Sequence, residues 1–520
     1  MSKALTIPPS LSELFLRDNS KLTVNSLYTL KRSWAKELGT TPRDSDVLAV
    51  YRDLAQKGLI ESSPELARAL ITRRVRTMSG VTPFAVMTKP YVCPGQCTFC
   101  PLELGMPKSY LSDEPAAARA RMMNFDPRAQ IESRLKQLED TGHETDKIEL
   151  IVIGGTFSNY PRDYKRAFFK DMIDTINGVV SASLEEAQVY NETAPRRIVG
   201  ISIETRPDWI DETEVRLLRE LGVTKVQVGV QAFDEEILRR VNRGHSLSAV
   251  ASATQLLKDA GIKVCYHFMP NLPGSTPQKD LAMARLMYED IRFKPDFLKV
   301  YPAQVIPGTE MFREWERGEY VPYSEDKLVK VLKEIKKFTP PYVRIDRLVR
   351  DISKKWVAAG TRNTNMRQVI LRELKNEGFA CRCIRCREAR GHVLLGEPEL
   401  HDLLIETLGA EEHLLTYEQN NRLYSLLRLR LHTGTPLFPE LLGAAIIREV
   451  HTYGVATKVG EHKKSRSQHH GLGSRLIKHA EELAKGAGYK RIAVISSIGT
   501  RSYYHKFGYS REGTYMVKNI

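Results

Sequence analysis

Between residues 81 and about 350 the chain alternates short apolar runs with longer amphipathic stretches. Runs at 148–153, 198–203, 226–230, 264–269 and 297–301 follow a shorter one at 84–87. The stretches between them, among them 163–176, 212–221, 249–260 and 279–291, repeat apolar residues at helical spacing. Near-continuous apolar strands separated by helices predict a parallel sheet covered on both faces. About six such units predict a partial (β/α) barrel rather than an open doubly wound sheet. In that architecture the chemistry sits on the loops that follow the strands.

The flanks read differently. Residues 1–80 are predicted helical and carry 13 Lys and Arg against 8 Asp and Glu. Arg73, Arg74 and Arg76 form their densest basic group. A solvated helical face explains such charge by itself; a polyphosphate partner would make it a binding arm. Residues 351–395 read as a cysteine-bearing linker after Pro340-Pro341. From 396 to 520 strands predominate, at 422–431, 443–450, 491–496 and 513–518. Helices are predicted at about 471–486 and 500–507, so this is a second α/β domain of another kind.

At 520 residues two or three domains are expected. Lysine and arginine outnumber acids 78 to 63, a net charge of +15 that suits a polyanionic partner. No apolar run approaches the roughly 18 residues of a membrane span, and no membrane association is expected. Six of the seven cysteines fall in two clusters, which points to metal in a reducing compartment and a cytoplasmic location.

The first cluster, Cys93, Cys97 and Cys100, reads C-P-G-Q-C-T-F-C and follows the first predicted strand. Three thiolates at this spacing can hold three irons of a 4Fe–4S cubane. Ferredoxin-type runs close the cluster with a fourth cysteine. None lies nearby here, so one iron stays open, as radical chemistry on S-adenosylmethionine requires. A structural zinc knot is the alternative. The second cluster, Cys381, Cys383 and Cys386, suggests structural zinc with His392 or His401 as a candidate fourth ligand.

Polar residues recur at the ends of the predicted strands. Gly154-Gly155 allows close backbone approach to a ligand, here the methionyl amino group of the cofactor. Glu204 and Arg206 follow at the next strand end, where a salt bridge between them would serve equally well, and Gln231 at the one after. Lys299 and Tyr301 share one strand face, which matters if it is the barrel interior. In the C-terminal domain, Gln468-His469-His470-Gly471-Leu472-Gly473 opens the helix that continues through Ser474. Free backbone N–H groups there suit a pyrophosphate. Glu449 near the preceding strand's end is a candidate base, and Tyr503-Tyr504 lies on a later helix.

With T-K-P…C-P-G-Q-C-T-F-C-P, I-G-G-T-F, I-E-T-R-P-D, V-N-R-G-H, R-E-V-H-T-Y-G, Q-H-H-G-L-G and G-T-R-S-Y-Y-H-K-F-G-Y, the chain resembles the catalytic subunit of Elongator from about residue 80 onward. This tRNA wobble-uridine family joins a radical SAM barrel to a GNAT acetyltransferase domain. Eukaryotic members carry a longer insert between the first two cysteines, so the chain looks like a stand-alone bacterial or archaeal form. The resemblance implies a 4Fe–4S cluster on Cys93, Cys97 and Cys100. It implies acetyl-CoA contacts from Lys147, from Glu449, Val450, His451 and Thr452, from Leu472, Gly473 and Ser474, and from Tyr504. It also implies a lid at 458–470, an anticodon stem-loop as partner and an electron donor; a homodimer is left open. The implied reaction is a 5′-deoxyadenosyl radical attacking the acetyl methyl group, addition to uridine C5, and hydrolysis to a carboxymethyl group. Since one acetyl-CoA serves both domains, the C-terminal cleft is expected to face the strand ends near Cys93, Gly155 and Lys147. A protein lysine acetyltransferase with a merely structural cluster is the alternative.

Overall fold

The computed structural model describes residues 9–72, 80–390, 392–453 and 471–520. Arg73, Arg74, Arg76, Gln468 and the 458–470 lid lie outside them.

Seven strands form the central sheet: β1 (Thr82–Met87), β2 (Lys147–Ile153), β3 (Arg197–Thr205), β4 (Lys225–Gln231), β5 (Lys263–Phe268), β6 (Phe297–Val300) and β7 (Arg344–Arg347). They lie side by side in chain order and every neighbouring pair is parallel. β1 and β7 are the two edges, so the barrel is partial. β7 escapes a hydrophobic-run reading because its four residues, Arg-Ile-Asp-Arg, offer one apolar side chain, Ile345.

The strands are less uniformly apolar than their runs suggest. In β2, Ile148, Leu150 and Val152 are fully buried against the surrounding helices, while Lys147, Glu149, Ile151 and Ile153 are half-exposed toward the interior. The period-2 alternation of a strand thus gives the barrel an apolar outer layer and a polar lining.

The second sheet comprises β8 (Glu399–Thr407), β9 (Ala410–Gln419), β10 (Arg422–His432), β11 (Ala444–Thr452), β12 (Arg491–Val494), β13 (Ser510–Glu512) and β14 (Tyr515–Asn519). Its order is β13-β14-β12-β11-β10-β9-β8. β11 and β12 run parallel but pair only from Ala444 with Arg491 to Ile447 with Val494. Beyond Ile447 they splay apart and leave a wedge. β8 and β9 form a hairpin that the sequence reading missed, because polar residues such as Asp402, His413 and Glu411 alternate through it.

This C-terminal domain docks on the loops that precede the barrel strands. Ser497 Oγ donates to Ile198 O at 2.9 Å, Tyr515 OH to Ala260 O at 2.9 Å, and Arg428 Nη2 to Tyr342 O at 2.8 Å. Glycine at 261 lets Ile446 and Ile495 approach closely, as glycine at 222 does for Ile498. The two domains therefore share one apolar core.

Helices Pro9–Asp18, Leu27–Leu38, Asp44–Gln56 and Pro64–Ala69 form the N-terminal segment, with a core of its own around Phe15, Trp34 and Tyr51. Several of its basic side chains are already paired, Arg17 with Glu37, Lys31 with Asp44, and Lys57 with Asp53. Among the described residues no helix is long and apolar enough to cross a membrane.

Candidate active site

Cys93, Cys97 and Cys100 lie on the loop after β1, at the C-terminal end of the barrel strands. Backbone bonds pin the loop: Thr98 N donates to Val241 O at 3.0 Å, and Met311 N to Thr98 O at 2.9 Å. Lys108 Nζ donates to Gly95 O at 2.5 Å and Asn242 Nδ2 to Gln96 O at 3.1 Å. Gly95 has no room for a Cβ, because the Arg206 guanidinium occupies that space. Arg243, buried, donates to Gly229 O and points Nη1 at Cys97 Sγ, 3.5 Å away. Thr156 Oγ1 lies 3.7 Å from Cys93 Sγ. Burial pushes the Cys100 thiol up to about 12, so a metal is what would hold it as a thiolate.

These features fit an iron–sulfur cluster. Two guanidiniums flank the loop, where negative charge on thiolates and sulfides needs compensation. Three polar atoms nearby are buried without a hydrogen-bond partner: Arg206 Nη1, Gln231 Oε1 and Thr98 Oγ1. Orphaned buried groups of this kind call for a ligand. Gln231 has φ 76°, an uncommon conformation for a non-glycine residue. Gly154 and Gly155, at φ 141° and 91°, pass between Thr88 and the carbonyl of Lys108, where a side chain would clash.

Glu204 and Arg206 do not pair with each other. Arg206 pairs with Asp208 at 2.8 Å. Glu204 points into the barrel, accepts a hydrogen bond from Tyr110 OH and lies 3.6 Å from Lys299 Nζ. Lys299 and Tyr301 both line the interior: Lys299 donates to Gln227 Oε1, and Tyr301 meets the His267 ring edge-on at 5.3 Å. Arg243, Gln227 and His267 were missed by the sequence reading. Strand alternation could have singled out Gln227 and His267, and the V-N-R-G-H motif could have singled out Arg243.

Lys147 begins β2, at the opposite end of the strand from Gly154. The C-terminal domain docks at that same end, so the expectation of a cleft facing Cys93 and Gly155 is overturned. Connections between parallel strands place the preceding loops and the following loops at opposite ends, and the docking loops here are all of the preceding kind.

The end of β11 divides two spaces. Val450 and Thr452 face the turn opening helix Leu472–Gly486. A Cβ at Gly473 would stand 3.2 Å from Tyr503 OH, 3.4 Å from Thr452 Oγ1 and 3.9 Å from Val450 Cγ1. Gly471 caps this helix at φ 64°, and Leu472 is buried beneath it. Tyr503 hydrogen-bonds Ser474, whereas Tyr504 turns inward against Tyr509. Glu449 and His451 project the other way, toward Lys263 and Arg344 at the barrel mouth.

Burial alone would raise the Glu449 carboxyl, but Lys263 and Arg428 hold it below the usual range, with Arg428 Nε 2.9 Å away. A carboxylate so stabilised is a weak base, which argues against the base role expected for Glu449. Burial pulls His451 down to about 4, so its ring is neutral near pH 7, and its Nε2 is buried without a partner.

The thiols of Cys381, Cys383 and Cys386 lie within 4.8 Å of one another, the one such group found among the described residues. Neither His392 nor His401 joins them, contrary to expectation; both are exposed, and His401 sits beside Glu399. Lys336 Nζ approaches Cys386 Sγ at 3.6 Å instead. The motif ties the two large domains together: Ile384 N donates to Val343 O at 3.0 Å, before β7, and Ala389 N to Leu423 O at 2.9 Å, in β10.

Comparison with known proteins agrees with this architecture. The Radical SAM superfamily model matches residues 87–287, the Radical_SAM C-terminal domain 295–376, and the Acetyltransferase (GNAT) family 398–509. The tRNA uridine(34) acetyltransferase of Dehalococcoides mccartyi (strain CBDB1) is 43% identical, over 86% of this chain and 99% of that protein. Elongator complex protein 3 of Homo sapiens is 36% identical, over 93% and 91%. The solved structure of the archaeal Methanocaldococcus infernus Elp3 with N-terminus deletion (1-46) superposes with a TM-score of 0.75 at 39% identity, covering 85% of this chain and all of that one. The half-barrel with its cysteine loop is a radical SAM domain, the splayed C-terminal sheet is a GNAT domain, and the chain belongs to the family of tRNA uridine(34) acetyltransferases and Elongator complex protein 3.

Proposed function

We propose that this enzyme carboxymethylates C5 of the wobble uridine in tRNA, with acetyl-CoA as carbon donor. The observation that carries this reading is the pairing, in one packed molecule, of a cysteine loop at one barrel end with a GNAT cleft at the other. Relatives covering nearly the whole chain bear the name tRNA uridine(34) acetyltransferase.

When bound at Cys93, Cys97 and Cys100, a 4Fe–4S cluster with S-adenosylmethionine supplies a hydrogen-abstracting radical. The chain's own groups do the rest. Gly154, Gly155, Arg206 and Gln231 form the rim that would seat the cofactor, and the two guanidiniums balance its charge. Backbone N–H groups at 471–474 hold the pyrophosphate of acetyl-CoA, and Tyr503 closes over that turn. His451, neutral and unpartnered at Nε2, orients water for thioester hydrolysis, with Glu449 an electrostatic neighbour. Lys147 lies at the GNAT-side mouth, where it would meet the acyl donor.

An anticodon loop presents an unstacked base, which suits an enclosed site. The basic N-terminal segment is its electrostatic footing, an external reductant is the electron donor, and a reducing, cytoplasmic setting fits seven free cysteines. Lysine-peptide acetylation is disfavoured, because the face of β11 bearing Glu449 and His451 is covered by the barrel.

The deciding experiment is mass spectrometry of nucleosides from tRNA incubated anaerobically with both cofactors. Carboxymethyluridine at the wobble position is expected; acetyl-lysine on a peptide with unmodified tRNA would overturn the reading. Gly473→Val should put methyl groups between Tyr503 and Thr452 and suppress thioester turnover and tRNA modification together. Cluster iron content should not change.

The second cysteine triad fits a structural zinc ion: three converging thiols, largely buried, with a lysine ammonium to offset thiolate charge. Cys383→Ser is expected to release zinc to a chromogenic chelator. The GNAT domain should then be cleaved from the barrel by trypsin at concentrations that leave the parent intact.

A further inference from the structure

We propose that the half-barrel is a passage open at both ends, and that the acyl-pantetheine arm of acetyl-CoA enters it from the GNAT side. The arm would carry the acetyl methyl group through the lumen to the cysteine end. This deepens the functional reading above and rests on it.

The two ends are occupied by different chemistry. The cysteine loop and Gly154 follow the strands and Gln231 ends one, whereas the GNAT contacts fall on the loops before the strands or on their first residues. With β2 seven residues long, the ends lie about 20 Å apart. An extended acyl-pantetheine arm spans a comparable length. Something must bridge that distance if one acetyl group is to meet both sites.

The lumen carries polar groups, and those toward its mouths keep contact with solvent. Packed (β/α) barrels fill their interiors with branched apolar side chains. Here many inward positions are polar, and toward the GNAT end they retain access to solvent: Glu149 keeps 31% of its side-chain exposure, Arg344 22% and Lys225 14%. In the next layer Gln227 and Ser202 are buried, while Ile151 on β2 is half-exposed. Outward neighbours on the same strands, Ile148, Val226 and Ile345, keep none. Charges at such depth in a dry interior would each cost several kcal/mol; water and a polar ligand remove that cost. Gly200 faces Glu149: a Cβ there would make ordinary contact with Glu149 Cγ at 3.4 Å, and a longer side chain would reach into the lumen.

The polar lining also runs from mouth to mouth. Glu449 and His451 lie beside Lys263 at the GNAT end. Lys225 Nζ meets Glu149 at 2.7 Å in the middle. Beyond it Gln227 Nε2 donates to Ser202 Oγ at 3.2 Å, Lys299 bonds Gln227, and Glu204 accepts from Tyr110 near the cysteine end. Such a file can satisfy the two amides and the hydroxyl of pantetheine at each depth. The entry is the wedge where β11 leaves β12 after Ile447, with the pyrophosphate turn on one side and His451 on the other.

A direct test uses Ile151→Cys, a half-exposed lumen position in mid-β2. The full-length protein, with its cluster reconstituted, is treated with coenzyme A disulfide. Thiol–disulfide exchange should join residue 151 to the coenzyme and release one free coenzyme A thiol, and excess acetyl-CoA should block the capture. Peptide mapping that finds residue 151 free, in protein that still hydrolyses acetyl-CoA, overturns the passage.

The second test is Gly200→Leu with trideuteroacetyl-CoA. Thioester hydrolysis is expected to stay within about two-fold of the parent, since the sites are distant. Deuterium transfer into 5′-deoxyadenosine should fall about 100-fold, because the reacting atoms can no longer meet. Undiminished transfer in Gly200→Leu overturns the passage. Absence of transfer in the unsubstituted enzyme overturns the proposed function instead. Should Gly200→Leu fail to fold, the capture at residue 151 decides alone.

Discussion

Cys97→Ser is expected to reduce uridine modification to background while acetyl-CoA hydrolysis stays within about two-fold of the parent, as for independent distant sites. Cys97 is the thiol that Arg243 contacts, on a loop anchored through Thr98 to both Val241 and Met311. Removing one of three ligands leaves an iron without its thiolate, and the loop offers no replacement. The GNAT cleft is assembled from β11, helix Leu472–Gly486 and Tyr503, none of which touches that loop. Iron and sulfide content, the visible spectrum and nucleoside mass spectrometry check the loss; a thiol-release assay checks what remains. A variant that keeps its brown colour and full tRNA activity would remove the cluster from Cys97.

The other large effect lies where the domains meet. Asp296→Ala is expected to destabilise the interface by about 3–5 kcal/mol, the usual cost of unpairing a buried ion. Asp296 precedes β6 and is 1% exposed at its side chain; it receives Arg448 at 2.7 Å and Arg428 at 3.4 Å. The network continues through Glu412, which binds Arg448, Arg430 and Lys258, to Glu449 and Asp259. Those named groups comprise four cations and four anions, so removing one acid leaves a net positive charge among fully buried guanidiniums. Calorimetry should show barrel and GNAT domain unfolding in separate steps instead of together.

Acid should reproduce the effect. Although burial opposes it, Arg448, Lys258 and Arg428 hold the Asp296 carboxyl far below its ordinary range, and Arg448, Lys258 and Arg430 depress Glu412. A depressed carboxyl contributes stability that is complete above the unfolded value near 4 and is lost as pH falls below it. The parent should hold its domains together at pH 6 and release them progressively below pH 4. Asp296→Asn should show a smaller drop across that window.

Much of this organisation was legible in the sequence because it rests on local patterns. Near-continuous apolar runs and helical spacing placed six of the seven barrel strands and the helices of the C-terminal domain, and a glycine motif placed the turn at 471–473. The spacing of Cys93, Cys97 and Cys100 carried its own chemistry, since three thiols on one short loop can converge whatever surrounds them. β7 and the β8–β9 hairpin were hidden because charged residues interrupt their apolar pattern, and pairing partners compensate for that only in the folded molecule.

What the sequence by itself determined is therefore the inventory: a barrel with a cysteine loop, a cysteine-bearing linker, and a GNAT domain with its phosphate turn. Tertiary structure alone decided how these parts face one another. The GNAT domain sits at the N-terminal strand ends, Glu204 and Arg206 point apart, His392 and His401 stay away from the triad, and Glu449 is held by Arg428 as an ion. None of these is a property of a segment. The docking depends on contacts such as Ser497 with Ile198 and Tyr515 with Ala260, made across more than two hundred residues of chain. The balance there is set by buried charge finding its partner, a condition that no local spacing encodes.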